Sequence, residues 1–105
     1  MRRGDVFELR LPRGTGHEHR GRRYGVILQS DALLPSSVVL VAPTSRSARR
    51  LSYRPDIRVA DQSTRVMVEQ MTAVDGTRLV DLVGHATPEE MWGIDEAILT
   101  VLGLT

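Results

Sequence analysis

From Val6 to Leu11 the side chains alternate, with Phe7, Leu9 and Leu11 on one parity and Glu8 and Arg10 on the other. This two-residue period predicts a half-buried strand. Two short apolar runs follow, Tyr24 to Gln29 and the β-branched Val38 to Ala42, and unbroken runs of this length read as buried strands. Ser30-Asp31 and Pro35-Ser36-Ser37 mark a turn region between them. Ile57 to Ala60 predicts a short edge strand. Arg65 to Val74 predicts a longer one, with Val66, Val68 and Val74 on one parity and Met67, Met71 and Ala73 on the other. Glu69 and Gln70 lie in its middle, where a polar side chain must be either paired or facing a site.

The period changes at Thr87. Thr87-Pro88-Glu89-Glu90 reads as an N-cap, a proline at the first helical position and a capping-box glutamate three residues after the cap. Met91, Ile94, Ile98 and Val101 then recur at helical spacing until Gly103, while Glu89, Glu90 and Glu96 make the other side acidic. Trp92 and the methionines are expected in the core. The order of elements predicts a mainly β fold with a C-terminal helix, a small, strongly bent antiparallel sheet or partial barrel. At 105 residues and 41% hydrophobic, the chain is expected to be a single domain over 1–105 with one modest core.

Two polar stretches interrupt the apolar pattern. Pro12 to Arg22 contains three glycines and no periodicity, and reads as a connection whose tip closes over a ligand. Thr44 to Arg50 reads as a second exposed loop. Charge gives these loops a meaning that the formal balance of +1 conceals. Twelve arginines stand in residues 1–58 against five acids, a surplus of +7, and the remainder of the chain carries −6. Ten of those arginines form two runs, one from Arg10 to Arg23 and one from Arg46 to Arg58. Such a cluster draws polyanions, nucleic acid above all, and arginine grips phosphate through a flat fork of donors. The chain has no lysine, which codon usage explains as well as selection does; codon usage does not explain the clustering.

The absence of cysteine excludes disulfides, thiolate metal sites and a cysteine nucleophile. The start of the chain lacks the apolar stretch of a secretory signal, and no run reaches membrane-spanning length. A cytoplasmic protein without membrane contact is expected. Only four aromatic residues are present, so a base-stacking platform is weak.

Four segments resemble the MazF and PemK toxins, the mRNA interferases of bacterial toxin–antitoxin pairs. Arg3-Gly4-Asp5-Val6 looks like that family's first-strand motif, and Gly16-His17-Glu18-His19-Arg20-Gly21-Arg22-Arg23 like its active-site loop leading to a catalytic arginine. Val41-Ala42-Pro43-Thr44-Ser45 is similar to the strand ending in its catalytic threonine, and Glu69 to Asp75, with Arg78-Leu79 and Gly84, to its late-strand signature. The resemblance implies an SH3-like barrel of the MazF/PemK/CcdB type, a homodimer, and single-stranded RNA bound in a groove at or near the interface. It also implies metal-independent cleavage, no cofactor, and inhibition by a cognate antitoxin with an acidic C-terminal segment.

On this resemblance Arg23 is the catalytic phosphate clamp, and Thr44 bonds the same phosphate. Glu18, acidic within a basic loop, either orients Arg20 or Arg23 or acts as the base. His17 and His19 depart from the family, which often has Ser and Gln there; imidazole has the intrinsic pKa for acid–base work near neutral pH. His19 is therefore a candidate for proton transfer or, like His17, for a plain RNA contact. Although two histidines also suit a metal, no third ligand is placed beside them and none is expected. Tyr24 replaces the proline that usually follows the family's arginine, and either packs or stacks on a base. Arg20, Arg22, Arg46 and Arg49 are candidate phosphate contacts, with Ser45 and Gln70 as further RNA-binding residues. Competing readings are a non-catalytic RNA-binding module and a CcdB-like gyrase-targeting toxin. Retention of both Arg23 and Thr44 favours the enzyme.

Overall fold

The computed structural model describes residues 1–10 and 23–105. The expected loop from Pro12 to Arg22, together with Leu11, lies outside the described residues. Among the described residues seven strands, β1 (Asp5–Leu9), β2 (Arg23–Ile27), β3 (Val38–Ser45), β4 (Asp56–Val59), β5 (Gln62–Val66), β6 (Thr72–Asp75) and β7 (Leu79–His85), precede one α-helix, α1 (Pro88–Leu102). They form an antiparallel sheet in the order β4-β5-β3-β2-β1-β7, with β6 also paired to β3. The mainly β fold with a C-terminal helix is as the sequence predicts.

Strand β3 sets the curvature. Its first half pairs with β6, from Val38 opposite Asp75 to Val41 opposite Thr72, and its end pairs with β5, Thr44 opposite Val66 and Ser45 opposite Arg65. A single strand edge thus changes partner near Pro43, which has no N–H to give to either ladder. The expected continuous strand from Arg65 to Val74 is accordingly broken into β5, a 3-10 turn at Val68–Gln70 and β6. Met67 N–H closes the gap by donating to the Pro43 carbonyl at 2.8 Å. The expected loop after Pro43 also begins later, because β3 runs to Ser45.

Both faces of the central strands are covered. Val6, Val26, Ala42, Ile57, Val66, Val68, Ile94 and Ala97 belong to the larger core, beneath α1. Ile27, Val39 and Val41 form a second cluster with Phe7 and Leu9 packed against it. Strand β1 is therefore not the one-faced strand its alternation predicts, since Val6 on the other parity is 1% exposed. At its start, Gly4 takes φ +93, and a Cβ there would lie 3.1 Å from His85 Cε1. Glycine is the residue that fits such a backbone. The Asp5 carboxylate beside it accepts from Arg2 N–H at 2.9 Å and from His85 Nδ1 at 2.7 Å.

Strand β7 has no counterpart among the predicted elements, while β4 is an edge strand as expected. Ala60 (φ 52) and Asp61 (φ 64) form the two-residue β4–β5 turn with both φ values positive, the twist that suits a tight hairpin. The capping box of α1 is present in both directions, and Gly103 is left-handed at φ 70. Trp92 corrects an expectation: it is 69% exposed rather than in the core. It lies two residues from buried Ile94, close to the opposite side of the helix.

Candidate active site

Strand pairing brings the last arginine of the first run to the start of the second. Arg23 opens β2, antiparallel to β3, and its Nη1 donates to the Thr44 carbonyl at 3.2 Å. Thr44 is 3% exposed. Its neighbour Ser45 is half-buried, 3.3 Å from Ser47 through the hydroxyls, and Arg46, Arg49 and Arg50 follow with exposed side chains. Of the residues proposed from sequence, Arg23, Thr44, Ser45, Arg46 and Arg49 are thus gathered at one end of β3. Gln70 joins them through the 3-10 turn that Met67 ties to Pro43. Glu18, His17, His19, Arg20 and Arg22 lie outside the described residues.

The arginines differ sharply in what they do. Arg54 donates from Nε (3.0 Å) and Nη2 (2.5 Å) to Glu69 Oε2, and from Nη1 to the Arg49 carbonyl at 3.0 Å. Its side chain is 15% exposed and that of Glu69 24%. The bond from Arg54 holds the Glu69 carboxyl below its usual range against the opposing effect of burial, and the same bond raises Arg54. Arg65, half-buried on β5, donates from Nη1 to the Arg46 carbonyl at 2.9 Å. Arg50 and Asp56, 3.2 Å apart, form a pair of exposed side chains that contributes little. Arg3 is committed elsewhere, bonding the Leu28 carbonyl at 2.8 Å and Asp95 at 2.7 Å. Tyr24 packs against the larger core. Among the described residues, no group of three or more His, Asp or Glu side chains is arranged to hold a metal ion.

A family model described as the PemK-like, MazF-like toxin of type II toxin–antitoxin systems matches residues 2–102. The chain belongs to this family. A candidate toxin of Mycobacterium tuberculosis is 40% identical over 91 residues, covering 85% of this chain and 84% of that protein. Endoribonuclease EndoA of Bacillus subtilis is 26% identical over 111 residues, covering 99% and 96%. Among solved structures, a mycobacterial endoribonuclease in complex with its cognate antitoxin superimposes with a TM-score of 0.83 at 22% identity, covering 100% of this chain and 97% of that one. MazF of Deinococcus radiodurans gives 0.80 at 18% identity, covering 98% and 96%.

In this PemK/MazF-like toxin, sequence reasoning missed the distinct roles of Arg54 and Arg65, which hold backbone rather than face outward. The signal that was available is Glu69: an acid inside a strand-like run requires a partner, and its partner is Arg54.

Proposed function

We propose that the chain, an endoribonuclease toxin by family, cleaves single-stranded RNA at selected sequences without a metal ion. The observation that carries this reading is the contact between Arg23 and Thr44, with an arginine-bearing segment starting two residues further on. In the proposed reaction the 2′-hydroxyl attacks the adjacent phosphorus as its proton passes to a base. The bond to the 5′-oxygen breaks and that oxygen takes up a proton, leaving a 2′,3′-cyclic phosphate and a 5′-hydroxyl. Arg23, permanently cationic, stabilises the charge growing on the phosphoryl oxygens and is unsuited to act as the base. Thr44 helps to orient the phosphate. Proton transfer falls to Glu18 or His19, and His17, Arg20, Arg22, Ser45, Arg46, Arg49 and Gln70 bind the RNA strand.

The purified protein is expected to cut RNA into discrete fragments with 5′-hydroxyl ends in the presence of chelator. Mapping those ends gives the cleavage sequence. Intact RNA, with Arg23→Ala indistinguishable from the parent, would favour the non-catalytic or gyrase-targeting alternatives instead.

The proposal includes a cytoplasmic homodimer neutralised by an antitoxin whose acidic C-terminal segment lies along the arginines. No helix among the described residues is long and apolar enough to cross a membrane. Support for the dimer comes from α1 and β7: Trp92, Leu99, Leu102 and Leu82 are 69%, 36%, 53% and 60% exposed, large apolar side chains that a second copy of the chain would cover. Light scattering after size exclusion should give twice the chain mass. Trp92→Glu should shift the protein towards monomer with its fold intact by circular dichroism; an unshifted dimer would place the interface elsewhere.

A further inference from the structure

Among the described residues, the arginine-bearing segment after β3 takes part in no ladder hydrogen bonds. Two arginine side chains bond its backbone instead. Arg65 Nη1 bonds the Arg46 carbonyl at 2.9 Å, and Arg54 Nη1 bonds the Arg49 carbonyl at 3.0 Å. The guanidinium of Arg54 is in turn oriented by Glu69, which takes its other two donating nitrogens on a single oxygen, Oε2. Glu69 sits in the 3-10 turn that Met67 anchors to Pro43, next to Thr44. A continuous set of bonds therefore runs from the strand bearing Thr44, through Glu69 and Arg54, to the carbonyl of Arg49, while Arg65 separately holds the carbonyl of Arg46, three residues earlier in the same segment.

We propose that Arg54 and Glu69 are positioning residues, which fix the backbone of this segment so that Arg46 and Arg49 meet the RNA phosphates already arrayed. The proposal rests on the RNA-cleaving reading above. The pair is well suited to the role. A planar fork bound on three nitrogens has one orientation, whereas free arginine side chains on an untethered segment must be ordered at the moment of binding. Removing the carboxylate frees Arg54 to turn away and releases the Arg49 carbonyl. Capture of RNA should suffer, while the reaction of bound RNA, which depends on Arg23 and Thr44, should not.

The test uses a fluorescein-labelled RNA bearing the mapped cleavage sequence, with single-turnover rates and anisotropy measured across a salt series. Glu69→Gln is expected to raise Kd and the half-saturating concentration about 5- to 20-fold and to change the saturated cleavage rate less than twofold. Its log–log salt slope should fall by roughly 0.7 for each phosphate no longer neutralised. In an Arg46→Ala/Arg49→Ala background, Glu69→Gln should have little further effect on Kd, because the side chains it positions are gone. A purely structural role would lower the melting temperature and leave affinity and slope at parental values. That result overturns the proposal, as does an equal fall in the saturated rate with Kd unchanged. If Glu69→Gln does not fold, Arg54→Lys, which keeps the charge but not the fork, gives the same comparison. A parent that binds RNA without cutting it would refute the catalytic reading and leave positioning to be decided on Kd alone. A parent that does not bind RNA would refute both.

Discussion

Arg23→Ala is expected to lower the rate of RNA cleavage by about 10²- to 10³-fold, the usual cost of removing one preorganised donor aimed at developing charge. The expectation has a structural basis beyond motif position. Arg23 is held at the first residue of β2 by its pairing with Leu9 of β1, in a strand that pairs with β3 from Gly25 onward, and its Nη1 already lies 3.2 Å from the Thr44 carbonyl. A guanidinium fixed in this way spends little further order when a phosphate arrives. Arg23→Lys should fall between parent and alanine variant, because lysine keeps the charge but offers a point donor in place of a fork. The readout is the single-turnover rate at saturating RNA, with melting temperature as a control, since the side chain is half-buried and its loss carries a modest stability cost. An alanine variant cleaving at the parental rate would remove Arg23 from the chemistry and move the burden to the 11–22 segment.

The second large effect concerns the fold that holds this site. Ile94→Ala is expected to destabilise the protein by about 3 to 4 kcal/mol, in the upper part of the range for large-to-small changes in a packed core. Ile94 is fully buried at 0% exposure, in one cluster with Val6 of β1, Val26 of β2, Ala42 of β3 and Val66 of β5. Its truncation leaves a cavity in the core cluster that α1 shares with these strands. For a domain of this size the loss corresponds to a fall in melting temperature of more than about 10 °C. Glu96→Ala, exposed on the same helix, should stay within about 0.5 kcal/mol. Denaturant titration followed by far-ultraviolet circular dichroism distinguishes the two. Equal stabilities for parent and Ile94→Ala would mean that the helix does not seal the core.

How much could be read in advance depended on how far apart the cooperating residues are. The start of α1 was legible because Thr87, Pro88 and Glu90 satisfy one another within four residues, and its end because Gly103 stands where the chain must take a left-handed turn. The β-branched run at Val38 was legible for a similar reason. Strand β7 was not: Val80, Asp81 and Leu82 are all exposed, so no alternation of buried and exposed positions marked it. Trp92 was misjudged because a large apolar residue was assumed to be inside. Its position two residues before Ile94 already set it apart from the buried stripe.

The site divides in the same way. Arg23 and Thr44 were legible as motif residues, yet their contact depends on β2 pairing with β3, across 21 positions of sequence. The second arginine run looks uniform when written out. Tertiary packing separates Arg54, with a side chain 15% exposed, from Arg50 at 73%, and assigns the first to holding backbone and the second to the surface.

By itself, then, the sequence determined the strand-rich pattern with a terminal capped helix, the clustering of positive charge in the first 58 residues, and the motif residues at the site. These follow from short-range periodicity, local capping and composition, which need no knowledge of the rest of the chain. Only the tertiary structure decided where the Arg65–Val74 run breaks, which arginines hold backbone and which are exposed, and that Glu69 is the partner of Arg54. Each of these depends on a strand edge changing partners at Pro43 and on burial across the sheet, and burial is a property of the packed chain.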